Sequence, residues 1–311
     1  MSQYVFGVDI GGTTVKLGLF ETDGNLLDKW EIPTRTANGG EAILPDVAES
    51  IKNKMQEKNI EKTAIAGVGV GVPGPVDADG VVHVAVNLGW GVFNVSETLS
   101  GLLDGIEVKA GNDANVAALG EMWKGGGQGY KNMVAVTLGT GVGGGIIING
   151  EILSGANGAG GEIGHIHVED VEDECCGCKN KGCLEQYASA TGVVRLAKRK
   201  LMGDEESILR DGELSAKAVF DAVKAGDKVA IWVAQQFGYY LGKGLSAIAA
   251  VVNPEAFVIG GGVSKAGEIL FEYIKPYYEK YVFHASRNVD FKLATLGNDA
   301  GIYGAAKMVL D

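Results

Sequence analysis

Four cysteines fall within nine residues, at Cys175, Cys176, Cys178 and Cys183, and two histidines, His165 and His167, lie a short way upstream. Cys176-x-Cys178-x₄-Cys183 with one of these imidazoles suits a structural Cys₃His zinc site. Three thiolates and one neutral ring nitrogen close a tetrahedron around Zn²⁺ and leave no position open for water. Cys175 is then a spare thiol. Clustered cysteines in a chain without a leader segment speak for metal rather than for long-range disulfides. The expectation is one Zn²⁺ per chain, with a structural role.

A second chemistry lies in two Gly/Thr-rich stretches, Asp9-Ile-Gly11-Gly12-Thr13-Thr14-Val-Lys16 and Leu138-Gly139-Thr140-Gly141-Val-Gly143-Gly144. Glycine lets a backbone approach an anion closely, and turn N–H groups with threonine hydroxyls can hold phosphate oxygens. Asp9, at the end of an apolar run, could hold Mg²⁺ directly or through water. Gly69 to Gly74 and Gly139 to Gly144 both match G-x-G-x-x-G, but neither continues as strand, turn, then helix, so neither reads as a dinucleotide fingerprint. No G-x-x-x-x-G-K-[ST] loop occurs, and the H-R-D and D-F-G partners of a protein-kinase glycine loop are missing.

The elements that must position these groups follow from periodicity. Residues 4–10 and 15–20 read as a hairpin around Gly11 to Thr14, and 133–138 with 146–149 as a second around Gly139 to Gly145. Residues 41–58 carry a helical period, 63–72 a buried strand stopped by Pro73, and 105–110 a short strand. Asp113 opens a helix that runs to Trp123. Residues 154–182 are loop-rich, while 184–202 and 227–252 read as helices, the second ended by Asn253-Pro254. Residues 256–259 form a strand, and Ser264 reads as the N-cap of the helix that follows. The hairpin of 4–20 recurs at 133–149, and Gly111-Asn112-Asp113-Ala114 recurs as Gly297-Asn298-Asp299-Ala300. Two copies of a βββαβα-type half make two α/β lobes with a cleft, a preferred place for ligands.

Bulk properties narrow the classes. A chain of 311 residues exceeds one average core. A net charge of −12 without a Lys/Arg run argues against nucleic-acid or anionic-membrane partners. No apolar stretch approaches the ~18 residues of a membrane span, and no signal peptide is apparent, so a cytoplasmic location is expected.

The motifs, in order, resemble the ROK family of sugar kinases over essentially the whole chain. They are the Asp9 to Lys16 hairpin, Gly71-Val-Pro-Gly74-Pro75, Asn87-Leu-Gly-Trp90, Gly111 to Ala114, Leu138 to Gly144, Gly161-Glu162-Ile-Gly164-His165, the Cys176 to Glu185 block and Gly260-Gly-Gly-Val-Ser264. The glycine-histidine and cysteine block is the specific part, and it points to the bacterial glucokinases of that family. The extra Cys175 and the loop lysines Lys179 and Lys181 are the departures.

The resemblance implies a two-lobed actin-like (ribonuclease-H-like) ATPase fold with a central cleft. Residues 1–112 and the C-terminal helix 298–311 would form a smaller lobe, and 113–297 a larger one with the zinc loop. It implies ATP-dependent phosphorylation of glucose, with Asp113 as the base. Gly74, Asn87, Asn112, Asp113, Glu162, His165 and Glu185 would hold the sugar. Asp9, Gly11, Gly12, Thr13, Thr14, Lys16, Thr140 and Gly141 would serve Mg-ATP, and Gly260, Gly261, Gly262 and Val263 would pass the adenosine. His165 would ligate zinc with Cys176, Cys178 and Cys183 and also touch the sugar. A homodimer or homotetramer is implied in the same way. Other readings are a fructokinase or N-acetylmannosamine kinase of the family, or a sugar-sensing regulator without catalysis. The residue chemistry agrees with a kinase. Sugar hydroxyls need several carboxylates and amides around them, and Asp113 at a helix start is favoured in its ionised form by the helix dipole.

Overall fold

In the computed structural model, which describes residues 3–310, β1 (Tyr4–Ile10) turns back as β2 (Thr14–Glu21), which pairs with β3 (Leu26–Pro33). The amphipathic α1 (Ile43–Glu57) buries Ile43, Leu44, Val47 and Ile51 and leads to the almost fully buried β4 (Ile65–Val72). A short ribbon of β5 (Val81–Val82) and β6 (Phe93–Asn94) precedes α2 (Val95–Leu102). β7 (Val108–Asn112) then runs without a loop into α3 (Asp113–Lys124). The pattern restarts with β8 (Met133–Leu138), β9 (Val142–Ile148) and β10 (Glu151–Ile152). After a long loop come α4 (Glu185–Ala188), α5 (Ala190–Lys200), α6 (Ala216–Lys224) and α7 (Lys228–Val252). The chain ends with β11 (Ala256–Gly260), α8 (Ile269–Tyr281), β12 (Asp290–Leu293) and α9 (Ala300–Leu310).

The two five-stranded sheets have the same plan. One runs β3-β2-β1-β4-β7 and the other β10-β9-β8-β11-β12. In each, three strands from a meander are extended by two further strands that pair in parallel. The repeat read from the sequence is therefore a repeat of topology. Two compact units form: one holds the chain up to Lys131, Gly145–Gly161 and everything from Leu296 on, and the other holds Asn132–Gly144 and Glu162–Thr295.

In the first unit, Phe6, Val8, Leu17, Val47, Val68, Val70 and Leu99 share one core. The opposite side of β1 and β4 receives α9 at backbone contact. A Cβ on Gly7 would lie 1.9 Å from Ile302 O, and one on Gly69 1.7 Å from Ala305 O. α9 also meets α3 this closely: a Cβ on Gly304 would lie 1.7 Å from Val116 O, and one on Gly120 2.2 Å from Ala300 O. In the second unit the 25-residue α7 buries Val233, Phe237, Leu241 and Leu245 and packs on α8, where a Cβ on Gly238 would lie 2.1 Å from Tyr273 O. No helix among the described residues is long and apolar enough to cross a membrane.

Three local expectations are corrected. Residues 184–202 are two helices, because Ser189 is extended and caps α5, its Oγ accepting from Gly192 N at 2.9 Å. Gly143 to Gly145 are strand rather than turn. Position 145 is glycine because α3 crosses there, and a Cβ would meet Ala118 Cβ at 2.4 Å. Ser264 caps no long helix. It lies in a 3₁₀ turn, Val263–Ala266, with its Oγ donating to Gly261 O at 2.8 Å, and Gly267 at φ +89° ends that turn before α8 begins.

The glycine contacts give a direct test. Gly304→Ala forces α3 and α9 apart and is expected to cost about 1–3 kcal/mol, the range for overpacking. Gly101→Ala, in α2 with open space around it, is expected to gain about 0.5–1 kcal/mol. Denaturant unfolding of both variants checks the pair.

Candidate active site and metal-binding loop

In the first unit the candidate residues gather at the carboxyl ends of β1, β4 and β7. A Cβ on Gly71 would lie 3.7 Å from Asp9 Oδ1 and 3.7 Å from Asp113 Cα, so both acidic residues flank one strand end. Burial, and then the nearby charge of Asp113, push the Asp9 pKa up to about 6, with Lys16 opposing. Gly301 of α9 leaves room for this carboxylate, since a Cβ there would lie 2.5 Å from Asp9 Cγ. Lys16 is the register partner of Asp9, and its Nζ donates to Asn298 O at 3.0 Å. The Gly11–Thr14 turn is closed by Gly11 N donating to Thr14 O at 3.0 Å and by Thr34 Oγ1 donating to Gly11 O at 2.7 Å, which leaves Gly12 and Thr13 exposed.

Asn112 organises its neighbours. Its Oδ1 accepts from Ala114 N at 3.1 Å and Asn115 N at 3.2 Å, so it, and not Asp113, caps α3. Its Nδ2 donates to Gly74 O at 3.1 Å and Asp113 Oδ1 at 3.2 Å. Asp113 is thus the first helical residue, with its carboxylate oriented by a neighbouring amide. Gly74 has φ +125°, and a Cβ there would meet Val84 O at 2.4 Å. Asn87 is exposed on the Val86–Leu88 turn, 3.9 Å by its Cβ from the position of a Cβ on Gly12.

In the second unit, Gly139 O accepts from Ala190 N at 2.8 Å and Thr140 O from Thr191 Oγ1 at 2.7 Å, so the start of α5 holds the Gly139–Gly141 turn. A Cβ on Gly141 would lie 2.5 Å from Glu185 Oε2. The other oxygen, Oε1, accepts from Cys176 Sγ at 2.8 Å and lies 3.8 Å from His165 Nδ1. The Glu162 carboxylate lies 3.9 Å from His165 Nε2. Glu185 therefore stands between the Gly/Thr turn and the cysteine loop. The Gly260–Gly262 turn rests on the end of β8, where Gly261 has φ +84° and a Cβ would meet Leu138 O at 2.5 Å; Val263 behind it is buried.

One ligand atom each from His165, Cys176, Cys178 and Cys183 lies within 4.8 Å of all the others. Cys178 Sγ and Cys183 Sγ are 3.6 Å apart, and Cys176 Sγ is 3.7 Å from His165 Nδ1. Sulfurs about 2.3 Å from a tetrahedral Zn²⁺ stand about 3.8 Å apart, so the donor set fits that ion. Burial pushes the Cys176 and Cys183 thiols up. His167 lies outside the group: its Nε2 faces Asp170 Oδ1 at 2.9 Å and its Nδ1 faces Lys181 O at 3.0 Å. Cys175 is exposed and outside it too.

Sequence reasoning missed what braces this loop. Glu172, its side chain fully buried, accepts from Arg195 Nη2 at 2.8 Å, Arg199 Nη2 at 2.9 Å and Tyr187 Oη at 2.6 Å. Gln186 accepts from Cys183 N and donates to Glu174 O, both at 3.0 Å. Two arginines four apart on one helix, downstream of an acidic loop, were the available signal.

The sequence profile of the ROK family matches residues 5–311. A glucokinase of Halalkalibacterium halodurans is 45% identical over 99% of this chain and 95% of its own length, and a glucokinase of Thermotoga maritima is 35% identical over 98% and 96%. A ROK family glucokinase of Streptomyces griseus, solved with glucose and AMPPNP, superposes with a TM-score of 0.74 at 32% identity, covering 98% of both chains. The chain belongs to the ROK family and has its actin-like ATPase fold.

The brace has a pH signature. Burial raises the Glu172 pKa, but hydrogen bonds from Arg199, Tyr187, the Glu174 backbone and Arg195 outweigh it and hold the group well below its ordinary 4.5. A depressed carboxylate stabilises fully above its unfolded value and loses that contribution as pH falls below it. Glu172→Gln is expected to cost about 3 kcal/mol at pH 7, the low end for breaking a buried pair because Arg199 is partly exposed. The gap to wild type should close as pH drops below 4.5. Urea midpoints from pH 7 to pH 3 check both, with the exposed Glu174→Gln as the control of small effect.

Proposed function

We propose that this ROK-family chain transfers the γ-phosphoryl group of ATP to the 6-hydroxyl of glucose, giving glucose 6-phosphate. The observation that carries the reading is Asp113 on the first turn of α3, oriented by Asn112 and flanking one strand end with Asp9, in the unit that holds the exposed Gly12-Thr13 turn. The enzyme is a sugar kinase, as the two glucokinases named above are.

In this reading Asp113 takes the proton of the attacking hydroxyl. Asn112 holds its carboxylate in place and keeps Gly74 at a fixed distance. Gly74, Asn87 and Asn112 of the first unit, and Glu162, His165 and Glu185 of the second, bind sugar hydroxyls. Gly11 to Thr14 with Lys16, and Thr140-Gly141, bind phosphate oxygens, while Gly260 to Val263 line the path of the adenosine. Phosphoryl transfer needs mainly positioning and charge neutralisation. Mg²⁺ at Asp9 supplies the second, and the mutual repulsion of Asp9 and Asp113 favours a cation there. Zn²⁺ on His165, Cys176, Cys178 and Cys183 is structural: it ties the loop that leads into Leu184 and Glu185. By the same resemblance the protein works in the cytoplasm as a homodimer or homotetramer, without nucleic-acid or membrane partners.

A coupled assay with ATP, Mg²⁺ and a panel of hexoses and N-acylhexosamines tests the activity. Glucose is expected to give the highest kcat/KM, and turnover of none of them sinks the kinase reading. Asp113→Asn keeps shape but cannot accept the proton, so kcat is expected to fall ~10²–10⁴-fold with folding intact. Asp299→Asn, at the matching place of the second copy, should fall far less.

Metal analysis tests the loop. About one zinc per chain is expected in the wild type. Cys178→Ser should lose it together with glucose binding while ATP binding is largely kept, because binding energy of such a site is folding energy for its loop. Cys175→Ser should keep both metal and activity. Zinc loss on removing Cys175 and not Cys178 would reverse the ligand assignment.

A further inference from the structure

The connection from β3 to α1 has an unusual backbone. Asn38 (φ 52°), Gly39 (φ 72°) and Gly40 (φ 70°) are all left-handed, a conformation that normally occurs at single residues. Departures of this kind persist where the surroundings over-determine them, and they gather at functional sites. Here both ends of the connection are held. At its start, Thr34 N donates to Thr13 O at 2.9 Å and Thr34 Oγ1 to Gly11 O at 2.7 Å, on the Gly/Thr turn. At its end, Gly40 O accepts a buried bond from Trp90 Nε1 at 3.1 Å. The fit there is close: a Cβ on Gly40 would meet Leu88 O at 2.4 Å, and one on Gly89 would meet Gly39 Cα at 3.1 Å.

Trp90 closes the loop that carries Asn87. Ala85 N donates to Trp90 O at 3.1 Å and Trp90 N to Ala85 O at 3.2 Å, so residues 86–89 form a tip closed by that pair. Within the tip Leu88 is buried and Asn87 exposed. Trp90 itself is buried and meets Phe93 edge-on, with ring centroids 5.1 Å apart. The indole N–H thus joins the Asn87 loop to a segment whose other end closes the Gly11–Thr14 turn. The two groups also stand close together, since Asn87 Cβ is 3.9 Å from where a Cβ on Gly12 would be.

We propose that residues 34–40 are a strut that sets where Asn87 stands relative to the Gly11–Thr14 turn, with Thr34 and Trp90 as the positioning residues at its two ends. The proposal rests on the reading above, in which Asn87 binds a sugar hydroxyl and the turn binds phosphate. Neither Thr34 nor Trp90 is assigned a substrate contact; each acts through the group beside it. The attacking hydroxyl and the γ-phosphoryl group must meet within a narrow geometry, where a misplacement of about 1 Å can cost ~10²-fold in rate. The consequence of the strut is a coupling: loosening its phosphate end disturbs the sugar end, and the reverse.

Binding and kinetics of Thr34→Val, Trp90→Phe and the double variant test this. Valine keeps the shape of threonine without its hydroxyl, and phenylalanine keeps a ring against Phe93 without the N–H. Glucose affinity, measured by calorimetry with no nucleotide present, is expected to fall about fivefold in Thr34→Val, although that substitution lies at the phosphate end. ADP affinity without sugar should fall likewise in Trp90→Phe. The kcat/KM for glucose should drop about tenfold in each single variant and little further in the double, because both cut one strut. Thr34→Ser, which restores the hydroxyl, should restore glucose affinity. A purely structural role lowers Tm and the active fraction but leaves the affinity of the folded protein unchanged. If Trp90→Phe does not fold, Thr34→Val decides alone. Unchanged glucose affinity in Thr34→Val, or single-variant losses that multiply in the double, overturns the strut. Unchanged glucose affinity in Asn87→Ala overturns the assignment of Asn87, and the strut with it, while glucose turnover by the wild type keeps the kinase reading.

Discussion

The first unit depends on backbones brought into contact where no side chain intervenes. α9 lies on β1 and β4 at Gly7 and Gly69, and against α3 at Gly304 and Gly120, all at distances that a single methyl group would violate. Close packing of this kind has little slack, because a tightly filled interior transmits strain rather than absorbing it. Its consequence is positional. With α9 seated on the sheet, Gly301 sits over the Asp9 carboxylate, and with α3 seated on α9, Asp113 starts its helix at the end of the same sheet. The site therefore inherits its geometry from glycines that carry no chemistry of their own.

The second unit solves its positioning problem differently. Its candidate groups sit on a loop between β10 and α4, where no sheet can hold them. Two devices replace the sheet. One is the cluster of His165, Cys176, Cys178 and Cys183. The other is Glu172, buried and bonded to two arginines of α5 and to Tyr187. They act on the same element from both sides: α5 holds the Gly139–Gly141 turn through Ala190 and Thr191, and its arginines hold the loop. Glu185 lies where the two supports meet, between Cys176 and Gly141.

What could be read in the sequence was whatever forces a residue type. Glycine at 11, where a Cβ would meet Thr14 O at 2.9 Å, Asn112 before α3, and cysteines gathered within reach of one another are local requirements, and each was visible as a motif. So was the shared plan of the two sheets, because the same turn chemistry occurs twice. The break at Ser189 was not legible. Apolar periodicity runs through it, and besides the Ser189 cap the break is held by a bond from Ala190 N to Gly139 O, 51 residues away in sequence. Gly143 to Gly145 misled for a related reason. Glycine clusters suggest turns, but at Gly145 the small residue serves the crossing of a helix over a strand. Glu172 was missed because an acidic residue in an acidic loop looks solvated until its arginine partners, the one signal of it in the sequence, are placed.

The two copies of the Gly-Asn-Asp-Ala motif show how one local structure can be put to two uses. In the first, the motif follows a strand directly, Asn112 caps the helix, and Asp113 keeps its carboxylate beside Asp9 at the strand end. In the second, the motif is a 3₁₀ turn, Gly297–Asp299, and the helix starts one residue later, at Ala300. Asp299 then stands immediately before α9. Asp299 instead meets Lys29 of β3 at 2.6 Å, and Asn298 offers its carbonyl to Lys16. The ion pair is partly exposed and worth little in stability. With the Lys16 bond it attaches the start of α9 to β3 and β2, and β2 pairs with the strand of Asp9. The second copy thus ties α9, which packs on β1 and α3, to β2 and β3, and the motif's duplication in sequence does not imply two equivalent sites.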